Sequence, residues 1–218
     1  MVVGLCVIAT LVLMGRHGGG SERIARALLT FANLTSYAVS QWAWSRPDLT
    51  PGYDNLVPLH LCDFASFIAA FALITRRRTL MILTYFWGLA GTLQGIATPA
   101  LDYAPPHPVA LAFFLQHFAI IAVAVYFPLA DGWRLRRPWW KDTLLAYGWL
   151  NAYVLAAIVA NTVLNTNFGF LARKPTTPSL LDHLGPHPVY ILWLEMVALG
   201  LFVLLSQFVR PRKVASHS

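Results

Sequence analysis

The sequence predicts an all-α fold, a polytopic membrane helix bundle with about seven transmembrane helices. Two observations carry this. Charged residues make up 11% of the chain, hydrophobic residues 57%, and the mean hydropathy is +0.58, whereas a soluble domain carries roughly 25% charge. The apolar residues are also gathered into seven stretches, near 1–14, 24–45, 56–75, 80–98, 109–129, 143–164 and 187–209. A helix needs about 20 mostly apolar residues to cross a ~30 Å hydrocarbon core. Backbone groups in lipid must be satisfied within their own segment, so each stretch reads as a helix. The bundle uses up the 218 residues as a single transmembrane domain.

The first stretch is short, which fits a tilted helix or locally thinned lipid. It has no positive n-region and no small-residue cleavage site, so it reads as a span and not as a removed leader. The second carries Asn33, Ser36, Ser40 and Gln41 along its middle and far half. The third opens on "PLHLCDF". The fourth contains Gly88, Gly91 and Gly95, with the last two in the GxxxG spacing that lets helices approach closely. The fifth holds Gln116 and His117, the sixth ends on Asn161 and Asn165, and the seventh carries Glu195.

Lys and Arg fall on alternate connections. Arg16, Arg23 and Arg26 follow the first span. Arg76, Arg77 and Arg78 follow the third. Arg134, Arg136, Arg137 and Lys141 follow the fifth, and Arg210, Arg212 and Lys213 form the tail. These are 13 of the 16 basic residues; only Arg46, Arg173 and Lys174 lie on the other side. The positive-inside rule then sets the N-terminus outside and the C-terminus in the cytoplasm of a multi-pass cell-membrane protein. The net charge of +7 is thus a topology signal. No surface interleaves basic and aromatic residues as a nucleic-acid site would. The two cysteines, Cys6 and Cys62, both fall within spans and do not form a disulfide framework.

On this topology His60, Cys62, Asp63, Gln94, Gln116, His117, Asn161 and Asn165 all lie in the outer half, and Glu195 lies a third of the way into the last span. Polar side chains within a membrane are costly and face the bundle interior. The pattern predicts a pocket open at the outer end and an inner half sealed by apolar side chains. The longest connection, 165–186, keeps Phe168, Phe170, Leu171, Leu180 and Leu181, so it is expected to fold back over the mouth.

"PLHLCDF" is the sharpest cluster. The positive end of a helix dipole stabilises negative charge nearby, which suits a reactive thiol. A buried cysteine is also often a small hydrophobe. In a regular helix Cys62 and His60 lie on nearly opposite faces, while His60 and Asp63 share one. The base for Cys62 is then His117, or His60 if the first turn is distorted. Gln94 or Asn161 could donate to a developing oxyanion, and Glu195 is either a structural anchor or part of the site. His60, Asp63, His117 and Glu195 are also suitable ligand types for a metal, but no spacing is diagnostic and no metal or cofactor is predicted.

"LPLHLC"-type entry to the third span, "FWGLAGTLQGIATPAL", "FFLQH", the Asn-rich end of span six and "SLLDHLGPHPVY" occur in this order. With them the sequence resembles the YwaF-type family of bacterial integral membrane proteins from about 56 to 205. A eukaryotic relative, transmembrane protein 164, is regarded as a cysteine-dependent acyltransferase that moves fatty acyl chains between phospholipids. The resemblance implies the same activity, with membrane phospholipid as partner and Cys62 of "HLC" as nucleophile. The chain departs from the family's pattern at His187, where an aromatic residue is expected, and at Asn165, where a small one is. The alternative from a different class is a small-solute transporter or sensor with an outward-facing polar pocket. Seven spans without a repeat count against the common inverted-repeat transporters.

Overall fold

The computed structural model describes residues 2–211. Arg212 and Lys213, two of the basic residues in the predicted tail, lie outside them. Among the described residues the structure is helical, with no strand. The helices are α1 (Val2–His17), α2 (Gly19–Trp44), α3 (Tyr53–Leu56), α4 (Leu61–Thr75), α5 (Arg78–Ala90), α6 (Thr92–Ala97), α7 (Pro108–Leu129), α8 (Trp139–Leu164) and α9 (Val189–Phe208). Two short 3-10 turns, Phe168–Phe170 and Leu180–His183, interrupt the long connection before α9.

Each predicted stretch is helical, but two of them are broken. The third is interrupted by an extended segment between α3 and α4, and the fourth divides at Gly91 into α5 and α6. Five segments are long and apolar enough to cross a membrane: Tyr53–Thr75, Arg78–Ala97, Pro108–Leu129, Trp139–Leu164 and Val189–Phe208. The other two fall short for different reasons. α1 has 16 residues, about 24 Å at 1.5 Å per residue. α2 is long enough, but Glu22, Arg23, Arg26 and its run of amides and hydroxyls make it too polar.

The basic connections meet at one end of the bundle, here called the inner end. Arg76, in the left-handed conformation at the end of α4, pairs with both Glu22 and Asp131. Arg26 bonds Glu22 at 3.2 Å and the Leu73 carbonyl. Arg78 reaches Asp142 and the Arg134 carbonyl, and Arg210 lies 4.3 Å over the Trp139 ring. Three acids, Glu22, Asp131 and Asp142, thus gather Arg26, Arg76 and Arg78 from two connections that are far apart in sequence.

α7 is the central column. It packs on α1, α2, α4, α5 and α6, and Val109, Ile120, Val123, Tyr126 and Phe127 are among its buried residues. Small residues allow the close approaches. A Cβ at Gly88 would stand 2.9 Å from that of Ala124, and one at Gly15 would stand 2.4 Å from the Tyr126 ring. The inner half is filled by rings: Phe86 and Phe202 lie 4.9 Å apart, and the Tyr85 hydroxyl donates to the Leu205 carbonyl at 2.9 Å. α8 and α9 pack on α5 and on each other and present much apolar surface outward, including Leu155, Val159, Val163, Leu192 and Met196.

Candidate functional site

A cavity of about 390 Å³ occupies the opposite, outer half of the bundle. His60, Cys62, Asp63, Gln94, His117 and Glu195 all line it. Asn161 does not. The long connection roofs it with Phe170, Leu171, Ser179, Leu180 and Leu181, as its retained apolar residues led us to expect.

The start of α4 differs from a regular helix running through His60, Cys62 and Asp63. The helix begins at Leu61, and His60 is its extended N-cap (φ −70°, ψ 149°). The argument that puts Cys62 and His60 on opposite helix faces therefore does not apply, and both face the cavity. His60 Nε2 lies 3.1 Å from the Asp54 carbonyl, which can only accept, so this nitrogen carries the proton. The ring meets Phe168 edge-on at 5.4 Å. Cys62 is the second residue of α4. Its backbone N–H and that of Leu61 belong to the first turn, which has no intrahelical acceptors.

Asp63 has both oxygens engaged. Oδ2 accepts the His60 backbone N–H at 3.2 Å, and Oδ1 accepts Gln116 Nε2 at 2.9 Å. Asp63 and Gln116 are both buried. A buried carboxylate needs such donors, and here they also tie α4 to α7. From α8, the Tyr153 hydroxyl donates to the Leu59 carbonyl at 3.0 Å. These contacts make the α4 entry rigid from three sides.

His117 sits on the next turn-face of α7. Its Nδ1 lies 2.8 Å from the Phe113 carbonyl, and its ring stacks on Phe113 at 3.8 Å between centroids. The carbonyl fixes the proton on Nδ1 and leaves Nε2 as the acceptor. Nε2 points at α6, where Gly95 makes room: a Cβ there would stand 2.7 Å from it. Among the described residues Nε2 has no hydrogen-bond partner, and neither imidazole is hydrogen-bonded to the Cys62 thiol. The Gln94 side-chain amide is likewise free of a protein partner among the described residues.

Glu195 is met by Asn151 Nδ2 at 3.3 Å, and that amide also donates to the Tyr147 carbonyl at 2.9 Å. Asn151 of α8 thus supports a cavity residue of α9. Asn161 has another task. Its Nδ2 donates to the Phe168 carbonyl at 3.0 Å, while its Oδ1 accepts the Phe168 N–H at 2.6 Å and the Thr166 hydroxyl at 3.0 Å. It is a clamp on the roof and is unavailable to a substrate. Asn165 is the left-handed C-cap of α8 (φ 53°), a place where Asn is tolerated. His187 holds the Leu171 carbonyl through Nε2 at 3.2 Å.

Sequence reasoning did not assign Tyr37, Gln41 or Tyr153 to this site. Tyr37 and Gln41 line the cavity while bonding the Leu56 and Asn55 carbonyls. Their spacing of four on α2 places them on one face, and that was the available signal. Among the described residues no group of three or more His, Cys, Asp or Glu side chains could hold a metal ion. No curated protein and no solved structure matches the chain. Residues 1–206 match the TMEM164 family, and this multi-helix membrane protein therefore belongs to it.

Proposed function

We propose that this protein is a lipid-modifying acyltransferase of the cell membrane, with Cys62 as nucleophile and membrane phospholipid as substrate. The observation that carries the reading is the shared cavity of Cys62 and His117, with His117 Nε2 held unprotonated and unpartnered beside it. Membership of the TMEM164 family and the resemblance of "HLC" to that family's reactive motif add to it. We also propose that all seven long helices cross the membrane, with the N-terminus outside.

In this reading His117 Nε2 takes the Cys62 proton and the thiolate attacks the acyl carbonyl of a phospholipid ester. The oxyanion is stabilised by the free Gln94 amide and the α4 first-turn N–H groups. The ester C–O bond breaks, the lysolipid oxygen takes the proton from His117, and the acyl group remains on sulfur as a thioester. An acceptor hydroxyl then loses its proton to His117, attacks the thioester and restores the thiol. No cofactor is required. Asp63 and Gln116 position the nucleophile's turn, and Glu195 with Asn151 polarises one wall.

One observation favours a second reading, a solute transporter or sensor: no hydrogen bond joins Cys62 to either imidazole among the described residues. Acyl exchange by purified protein in defined lipid separates the two. Acylated Cys62 trapped from a phospholipid donor supports the enzyme. Solute binding by Cys62→Ala protein, with no acyl exchange by the wild type, supports the alternative.

A further inference from the structure

Away from this cavity, a groove runs along the outer surface of the bundle between α2 and the end of α4. Its floor and walls include Ala27, Phe31, Leu34, Leu73 and Ile74, and its inner end carries Arg23 and Arg26. On α2 the lining residues are 23, 26, 27, 30, 31 and 34, spaced three and four apart, so they form one stripe on one face. Ala27 is the depression between the arginines and Phe31. The stripe from Arg23 to Leu34 is about 16 Å long at 1.5 Å per residue. That is about the ~15 Å depth of one leaflet's hydrocarbon, half of a ~30 Å core.

The charges at the inner end are unequally satisfied. Arg26 is committed to Glu22 and the Leu73 carbonyl, yet its Nε is buried without a partner. Arg23 has no acidic partner among the described residues; only its Nε reaches the Gly19 carbonyl, at 3.4 Å. An exposed guanidinium at the edge of a hydrocarbon layer needs an anion, and its planar fork suits phosphate. Attached to the same place is an apolar furrow of one-leaflet length, partly walled by Phe31, which is 68% exposed.

We propose that this groove binds one anionic phospholipid, its phosphate against the exposed guanidinium of Arg23, one acyl chain along Ala27, Phe31, Leu34 and Ile74. The lipid completes the charge balance of α2, the helix whose own composition is least suited to the membrane, and ties it to α4. The site is separate from the Cys62 cavity and does not depend on acyl transfer.

The test is native mass spectrometry and thermal melting of delipidated full-length protein in detergent. The probes are phosphatidylglycerol, phosphatidylcholine and inorganic phosphate. Wild type is expected to retain one phosphatidylglycerol and to melt higher with it than with phosphatidylcholine. Arg23→Gln removes a charge-assisted contact and is expected to weaken retention about tenfold. Ala27→Phe, which fills the furrow and leaves both arginines, is expected to abolish the lipid effect. Equal retention of phosphatidylcholine, an undiminished lipid effect in both variants, or full stabilisation by inorganic phosphate alone would overturn the proposal.

Discussion

Asn161 holds both backbone groups of Phe168, donating to its carbonyl at 3.0 Å and accepting its N–H at 2.6 Å. One amide thereby folds the cavity's roof back onto the helix that leads into it. Phe168 is fully buried and touches His60, so the clamp reaches the α4 entry through a single ring. Asn161→Ala strands two buried backbone groups and should cost about 2–4 kcal/mol. Thermal melting in detergent checks this; a melting curve identical to wild type would show that the roof stands without the clamp.

Cys62 and Cys6 should behave oppositely. Cys6 lies exposed on α1, where the Thr10 hydroxyl donates to its backbone carbonyl at 2.9 Å, while Cys62 lines the cavity. Cys62→Ala is expected to abolish acyl exchange in defined lipid with folding and insertion intact. Cys6→Ala is expected to leave exchange within about twofold of wild type, as surface changes far from a site commonly do. Full activity in Cys62→Ala protein would end the covalent mechanism.

Gly95 offers a more selective probe of His117 than removing the imidazole does. The added Cβ of Gly95→Ala would meet Nε2 at 2.7 Å and Cδ2 at 2.9 Å, pushing the ring out of place. Misplacement by about 1 Å can cost about 100-fold in rate, and a loss of that order in acyl exchange is expected, alongside near-complete loss in His117→Ala. Gly88→Ala serves as the packing control, since its Cβ meets Ala124 and Ile120 and not the imidazole. If Gly88→Ala and Gly95→Ala lose equal activity, the effect is general loosening of α5 and α6.

Orientation can be read with reporters. A periplasmic-type reporter fused after residue 210 should be silent and a cytoplasmic one active, because 13 of 16 basic residues sort to that side. Single cysteines at Arg173 and Arg77 should label from outside and inside respectively in intact cells. The reverse labelling pattern would invert the bundle.

The helices were legible because lipid enforces length, apolarity and charge sidedness together, and α7 and α8 lie within a few residues of the stretches read from sequence. The breaks were not. The extended segment ahead of Leu61 depends on Tyr153, Tyr37 and Gln41 holding the carbonyls of Leu59, Leu56 and Asn55, contacts between residues 14 to 94 apart. Depth alone drew His60, Cys62, Gln94, His117 and Glu195 into one group correctly, since all are polar groups that lipid rejects. Depth could not separate Asn161, because a clamp and a cavity wall incur the same desolvation. The local clue was present: an Asn followed by Asn165 and Thr166 at a helix end is capping chemistry.

The rings that fill the inner half, with Phe86 against Phe202 and Tyr126 and Phe127 buried beside them, make the bundle a stopper in this conformation. A plug of that kind offers hydrated ions no continuous path along the bundle axis, so a bilayer holding this conformation keeps its voltage.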